Sequence, residues 1–247
     1  MSAVEFRHAT YRIGDRIILD DLSLEVEAGE TLVLLGRSGS GKTTALRLIN
    51  RMHLPTSGQV LVDGKATTEW DPVRLRRSIG YVIQEGGLFP HFTVERNVGL
   101  MPLLEGWPEE RVRSRVSELL NRVDLTPAEF ARRLPRELSG GQRQRVGVAR
   151  ALAADPKILL FDEPFGALDP VTRLDLQREF LRLRQEFGKT SVFVTHDVQE
   201  ALRLATRMVL LDRGRLVFIG TPEQFVRSTE PEARAFLEVL EERTSAQ

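Results

Sequence analysis

Gly36-Arg37-Ser38-Gly39-Ser40-Gly41-Lys42-Thr43 fits the pattern G-x-x-x-x-G-K-[ST] with no mismatch. A short apolar run, residues 31–35, precedes it, and residues 42–51 follow it with apolar side chains at Ala45, Leu46, Leu48 and Ile49. The order is therefore buried strand, glycine-rich turn, helix. Glycines let the backbone turn tightly enough for successive N–H groups to face one anion. The helix N-terminus adds its dipole. Lys42 supplies a point charge for β- and γ-phosphates, and the Thr43 hydroxyl is a ligand for Mg²⁺.

The rest of the chain supports an α/β fold with a largely parallel sheet. Residues 4–13 and 16–26 read as strands around the Gly14-Asp15 turn, and 59–62 and 79–83 as further strands. From 85 to 139 the texture changes. Prolines 90, 102, 108, 127 and 135 punctuate segments of helical period, and residues 109–123 carry Val112, Val116, Leu119, Leu120 and Val123 on one face. This stretch reads as a mostly helical insert in the core. The core resumes with a helix over 140–154, a strand over 157–162, a helix over 170–187, a strand over 191–195 and a short helix over 197–205. A hairpin over 208–219 turns on Asp212-Arg213-Gly214, and residues 231–242 read as a surface helix. Alternating strands and helices indicate one α/β unit, with the core over about 1–84 and 140–220 and a helical tail over 221–247.

Two further stations face the same chemistry. The strand ending at Phe161 puts Asp162 at the carboxyl edge of the sheet, where open α/β sheets bind ligands. Asp162 is the candidate for the Mg²⁺ shell and Glu163 for polarising an attacking water; an isolated acidic pair there also reads as a helix cap or a solvated turn. The second station is Leu138-Ser139-Gly140-Gly141-Gln142, a good N-cap residue and two glycines opening a helix. That is a second anion site, which one chain with one nucleotide does not need.

Residues 138–145, Leu-Ser-Gly-Gly-Gln-Arg-Gln-Arg, resemble the signature of the ABC ATPase family, standing as there shortly before the acidic pair. The resemblance covers about residues 4–220. It implies a P-loop NTPase (RecA-like) core with an N-terminal antiparallel β subdomain and an inserted α-helical subdomain. It implies ATP and Mg²⁺ as ligands and a head-to-tail dimer, in which Ser139, Gly140, Gly141, Gln142 and Asp169 of one copy act on the nucleotide of the other. Within a copy, ATP would lie on Gly36, Ser38, Gly39, Ser40, Gly41, Lys42, Thr43 and Thr44, with adenine on Tyr11. Glu163, His196 and Gln84 would complete the catalytic set, and Thr43, Gln84 and Asp162 the metal set. Gly166-Ala167-Leu168-Asp169 resembles the loop that signals across the dimer.

Residues 49–51, 55–58, 87–94, 106–107 and 163–170 are similar to the corresponding stretches of bacterial importers of glycine betaine, choline and carnitine. The implied partners are transmembrane permease subunits and, through them, a solute-binding protein, at the cytoplasmic face of the membrane. Importers of other small solutes, and non-transport ATPases of the family that act on nucleic acid or ribosomes, are the alternative readings. Many osmoprotectant relatives carry a C-terminal regulatory domain, and a sequence ending at Gln247 leads to the expectation of none.

Composition narrows the classes further. Lys plus Arg equals Asp plus Glu at 35 each in 247 residues, so net charge gives no pointer to nucleic acid. With no cysteine, disulfides, thiolate metal sites and a cysteine nucleophile are excluded. The first sixteen residues carry no apolar core and do not read as a secretory leader. The longest apolar runs are too short to span a bilayer, so another chain would supply the spans.

Overall fold

The computed structural model describes residues 2–83 and 87–245, with side chains to residue 240. These divide into two compact units, one within Met1–Arg76 and Thr190–Gln247, the other within Arg77–Lys189. Gln84 lies outside the described residues.

In chain order the first segment runs β1 (Ser2–Ile13), β2 (Arg16–Glu27), β3 (Thr31–Leu35), α1 (Lys42–Ile49), β4 (Ser57–Val62), β5 (Lys65–Ala66) and α2 (Pro72–Ser78). The second unit continues with β6 (Ile79–Val82), α3 (Val94–Leu104), α4 (Glu109–Arg122), α5 (Pro127–Phe130), α6 (Gly140–Leu152), β7 (Ile158–Asp162) and α7 (Pro170–Phe187). The chain then returns to the first unit as β8 (Thr190–Thr195), α8 (Val198–Leu204), β9 (Arg207–Asp212), β10 (Arg215–Gly220), α9 (Pro222–Val226) and α10 (Pro231–Ser245).

In the first unit, strands pair in the order β2-β1-β4-β5 in an antiparallel sheet, and β10-β9-β3-β8 in a second one. Strand β2 alternates Leu22, Leu24 and Val26 inward with exposed residues between, the period of a sheet with one buried face. Strand β3 is different: all five residues are buried, and both flanks pair in parallel, with β8 and β9. A run of Thr-Leu-Val-Leu-Leu suits a strand covered on both faces. On α1, Ala45, Leu46, Leu48 and Ile49 are buried, as their helical spacing predicts. The tail helix α10 is not wholly a surface element, since Ala233 and Leu237 on it are buried.

In the second unit β6 and β7 pair in parallel, Ile79 with Ile158 through Val82 with Phe161. The helical insert is held by α4, whose Val112, Val116, Leu119 and Leu120 are buried, each stabilising by roughly 1.5–3 kcal/mol. Leu119→Ala would leave a cavity costing about 2–5 kcal/mol. Asn97 of α3 is fully buried and staples the chain before it. Its amide nitrogen donates to the carbonyls of Phe89, Phe92 and Thr93 at 3.0–3.1 Å, and its oxygen accepts from Phe89 N–H at 2.8 Å.

Candidate functional site

The first unit contains the glycine-rich turn. Leu35 of β3 stands in register with Thr195 of β8, so Gly36 and His196 leave neighbouring strand ends. Gly41, the N-cap of α1, has φ +100°, and a Cβ on it would lie 2.7 Å from Leu19 Cδ2 and 2.8 Å from the Ile18 carbonyl. Only glycine meets both conditions. Gly39 has φ +80° and open space where a Cβ would stand. No side chain caps α1, and its first turn holds no acidic residue. The N–H groups that every helix leaves without intrahelical partners are thus aimed at whatever anion the turn admits.

Lys42 is buried, and its ammonium donates to the carbonyls of Gly36 at 2.7 Å and Arg37 at 2.9 Å, closing the turn upon itself. The Ser40 hydroxyl is buried without a hydrogen-bond partner. Such a group costs about 1–3 kcal/mol unless something fills its need. Ser38 is exposed, and Thr43 and Thr44 are half-buried in the first helical turn. Tyr11, on β1, stacks against His53, with ring centroids 4.9 Å apart. His196 is exposed just past β8. Its neighbours are fixed: Thr195 donates to the buried Glu200 carboxylate at 2.6 Å and accepts from Asp197 N–H at 3.0 Å. Asp197 in turn caps α8 through the N–H groups of Gln199 and Glu200.

The second unit contains the acidic pair. Val82 pairs with Phe161, so Ile83 and Asp162 follow neighbouring strand positions. Tyr81 donates its hydroxyl to Asp162 Oδ2 at 3.1 Å. Glu163 has φ +46°, left-handed backbone that a non-glycine residue enters at a cost of about 1–3 kcal/mol. The following residues coil tightly, Gly166 N–H bonding Glu163 C=O at 3.3 Å and Leu168 N–H bonding Phe165 C=O at 3.3 Å.

Asp169 then caps α7 by accepting from Thr172 N–H at 3.0 Å, and that bond holds its carboxyl below the usual carboxylate range. Ser139 caps α6 in a reciprocal box. Its hydroxyl accepts from Gln142 N–H at 3.2 Å, and Gln142 Oε1 accepts from Ser139 N–H at 2.9 Å. The two caps share one corner of the unit. A Cβ on Gly140 would lie 3.6 Å from Leu168 Cδ2, and one on Gly141 only 2.5 Å from Thr172 Cγ2. Glycine at 141 lets the starts of α6 and α7 touch. The stretches around Ser139 and Asp169, thirty residues apart, are thereby presented side by side.

Sequence reasoning passed over His53, Tyr81 and the Thr195–Glu200 pair. The first two carry no local signal: the hydroxyl of Tyr11 reaches His53 across 42 positions and Tyr81 reaches Asp162 across 81, whereas Thr195 and Glu200 are only five residues apart. The sequence pattern of the ABC transporter family matches residues 19–166, more than half of the chain. The chain belongs to the ABC transporter family.

That match takes in the glycine-rich turn, the Ser139 cap and the acidic pair of this ABC transporter chain. The glycine betaine/carnitine/choline transport ATP-binding protein OpuCA of Bacillus subtilis is 51% identical over 215 residues, which cover 87% of this chain and 56% of that protein. The glycine betaine uptake system ATP-binding protein YehX of Escherichia coli is 48% identical over 89% of this chain and 71% of its own length. The chain thus spans little more than half of OpuCA. Among solved structures, the ATP-binding cassette MJ0796, in a dimeric post-hydrolysis state bound to ADP and Pi, superposes with a TM-score of 0.78 at 36% identity. The superposition covers 89% of this chain and 98% of that one. The α/β fold read from the sequence is therefore the fold of ABC ATPase cassettes.

Proposed function

We propose that this chain is the ATP-hydrolysing subunit of a membrane importer for a quaternary-amine osmoprotectant such as glycine betaine, choline or carnitine. It works as a head-to-tail dimer on permease subunits at the cytoplasmic face. Among the described residues no helix is long and apolar enough to cross a membrane, which agrees with spans supplied by other chains. A solute-binding protein would deliver the cargo to them. The solute class rests on the names of relatives such as OpuCA and YehX.

The observation that carries the reading is the presence of two unlike helix N-termini in one chain, the uncapped α1 behind Lys42 and the serine-capped α6 behind Gly140-Gly141. A triphosphate gripped by the first in one copy and covered by the second of the other uses both. Gly36, Ser38, Gly39, Ser40, Gly41, Lys42, Thr43 and Thr44 hold the phosphates, and the exposed face of Tyr11 takes the base. By the resemblance, the Mg²⁺ ligands are Thr43, Asp162 and Gln84, whose side chains offer the hard oxygen donors that this ion takes. Mg²⁺ held by these residues would supply charge neutralisation for the phosphates.

Glu163 accepts a hydrogen bond from the attacking water. Water adds to the γ-phosphorus, the bond to the bridging oxygen breaks, and ADP leaves with that oxygen. His196 and Gln84 orient the γ-phosphate and the water. The left-handed backbone at Glu163 is an uncommon conformation for a residue other than glycine and marks the position as one the surrounding fold imposes. Glu163→Gln tests the assignment: ATP binding by calorimetry stays at the wild-type value while turnover falls roughly 10²–10⁴-fold. Turnover within twofold of wild type removes Glu163 from the mechanism. Uptake of labelled betaine, choline and carnitine by a deletion strain carrying this chain with its permease tests the cargo, and failure with all three overturns that part alone.

A further inference from the structure

Tyr11 and His53 come from different parts of the first unit and are tied together by several bonds. The β1–β2 register shifts on both sides of Tyr11, between Ala9 and Tyr11 and between Tyr11 and Arg12. Such irregularities re-aim a side chain. His53 stands in the loop that leaves α1, and that loop is fixed at both ends. Its N–H donates to the Arg47 carbonyl at 2.9 Å, Thr56 N–H donates to the Thr10 carbonyl at 2.7 Å, and Arg12 N–H donates to Thr56 Oγ1 at 3.0 Å. Between these anchors the two rings lie 4.9 Å apart, 24° from parallel, with Tyr11 Oη and His53 Nδ1 3.3 Å apart. Tyr11 is half-buried, so one face lies on the imidazole and the ring still meets solvent.

We propose that His53 is a positioning residue for base recognition, the backing plate that holds Tyr11 flat toward the adenine of a bound nucleotide. This rests on the reading of Tyr11 as the adenine platform. A single exposed tyrosine on a strand would have to give up its rotamer freedom on binding. A ring already stacked and hydrogen-bonded from behind has lost that freedom beforehand, and pre-organisation of this kind raises affinity by lowering the cost of ordering. Burial, followed by the nearby charge of Arg47, holds the imidazole below its ordinary pKa and so favours the neutral ring. A neutral imidazole keeps both the stack and the hydrogen bond to the hydroxyl. Because the same loop follows the end of α1, the backing ring of His53 and the phosphate turn stand at the two ends of one helix.

The test compares two probes, ATP and tripolyphosphate, which shares the phosphates and has no base. His53→Ala is expected to weaken ATP binding about two- to tenfold, the worth of an aromatic pair, and to leave tripolyphosphate affinity unchanged. His53→Phe, which keeps a ring behind Tyr11, is expected to restore most of the ATP affinity. Tyr11→Ala should give an equal or larger loss for ATP alone. If His53→Ala binds ATP as wild type does while Tyr11→Ala is impaired, the backing role is wrong and the platform reading stands. If neither variant changes the ratio of the two affinities, the platform reading itself fails. Equal loss for ATP and tripolyphosphate in His53→Ala would show a general disturbance of α1 and also overturns the proposal.

Discussion

The helices α1 and α6 both begin on glycine-rich sequence after a turn, yet their ends are built differently. At α1 the N-cap is a left-handed glycine, which has no side chain to cap the helix, and a buried lysine stands beside it. At α6 a serine and a glutamine cap the helix reciprocally, and no lysine lies in its first turn. The first end has no cap of its own, and in the proposed site the phosphates complete it. The second is capped from within, and it offers an anion the dipole, the bare backbone around Gly140 and Gly141, and the proton of the Ser139 hydroxyl, whose oxygen only accepts within the cap. In the proposed dimer this division sets the order of events, because the open end binds nucleotide alone and the self-capped end joins when a second copy closes.

The comparison breaks most visibly at the lysine. Lys42→Ala removes charge-assisted hydrogen bonds to phosphate worth about 1.5–3 kcal/mol, so ATP affinity should fall roughly 10- to 100-fold by calorimetry. Wild-type affinity in that variant would refute the open-end account. No change at α6 should produce such a loss in the isolated chain.

A second effect belongs to the other region. Glu179 of α7 is buried in direct contact with Arg145 of α6, and burial pushes its pKa from 4.5 up to about 7 against the attraction of Arg145. The folded state therefore keeps a proton that the unfolded chain releases between pH 4.5 and about 7. Stability should fall as pH rises through that window, and Glu179→Gln should remove the slope. The variant's unfolding free energy, relative to wild type, is expected to rise by on the order of 2 kcal/mol between pH 5 and 7. A flat difference in urea titrations across that range contradicts the burial argument.

The smallest expected change sharpens the contrast between the two ends. Ser139→Ala removes the α6 cap at a cost of about 1 kcal/mol, lowering Tm by roughly 2–4 °C. ATP affinity of the isolated chain should not move. A loss of affinity as large as that of Lys42→Ala would show that α6 contributes to the primary site.

The difference between the regions also marks what the sequence could convey. The strand-turn-helix around Lys42 was legible because all of its parts are adjacent and each residue type has one physical use. The amphipathic face of α4 was legible from period alone, and Val112, Val116, Leu119, Leu120 and Val123 are all buried. Helix and strand ends moved by a residue or two, as with α6, which closes at Leu152. What could not be read were pairings across long stretches of chain: Tyr11 on His53, Tyr81 on Asp162, and the corner where Gly141 meets Thr172. The left-handed backbone at Glu163 was equally hidden, since glutamate has no preference for it and only the surrounding fold imposes it.

The account turns on one nucleotide being shared by two copies of the chain. Light scattering on Glu163→Gln, with and without saturating ATP and Mg²⁺, measures this directly. The chain has a mass of 27.9 kDa, and the account predicts that ATP shifts the variant to twice that mass while Ser139→Arg in the same background abolishes the shift. A variant that binds ATP fully and keeps the monomer mass at every protein concentration would contradict it.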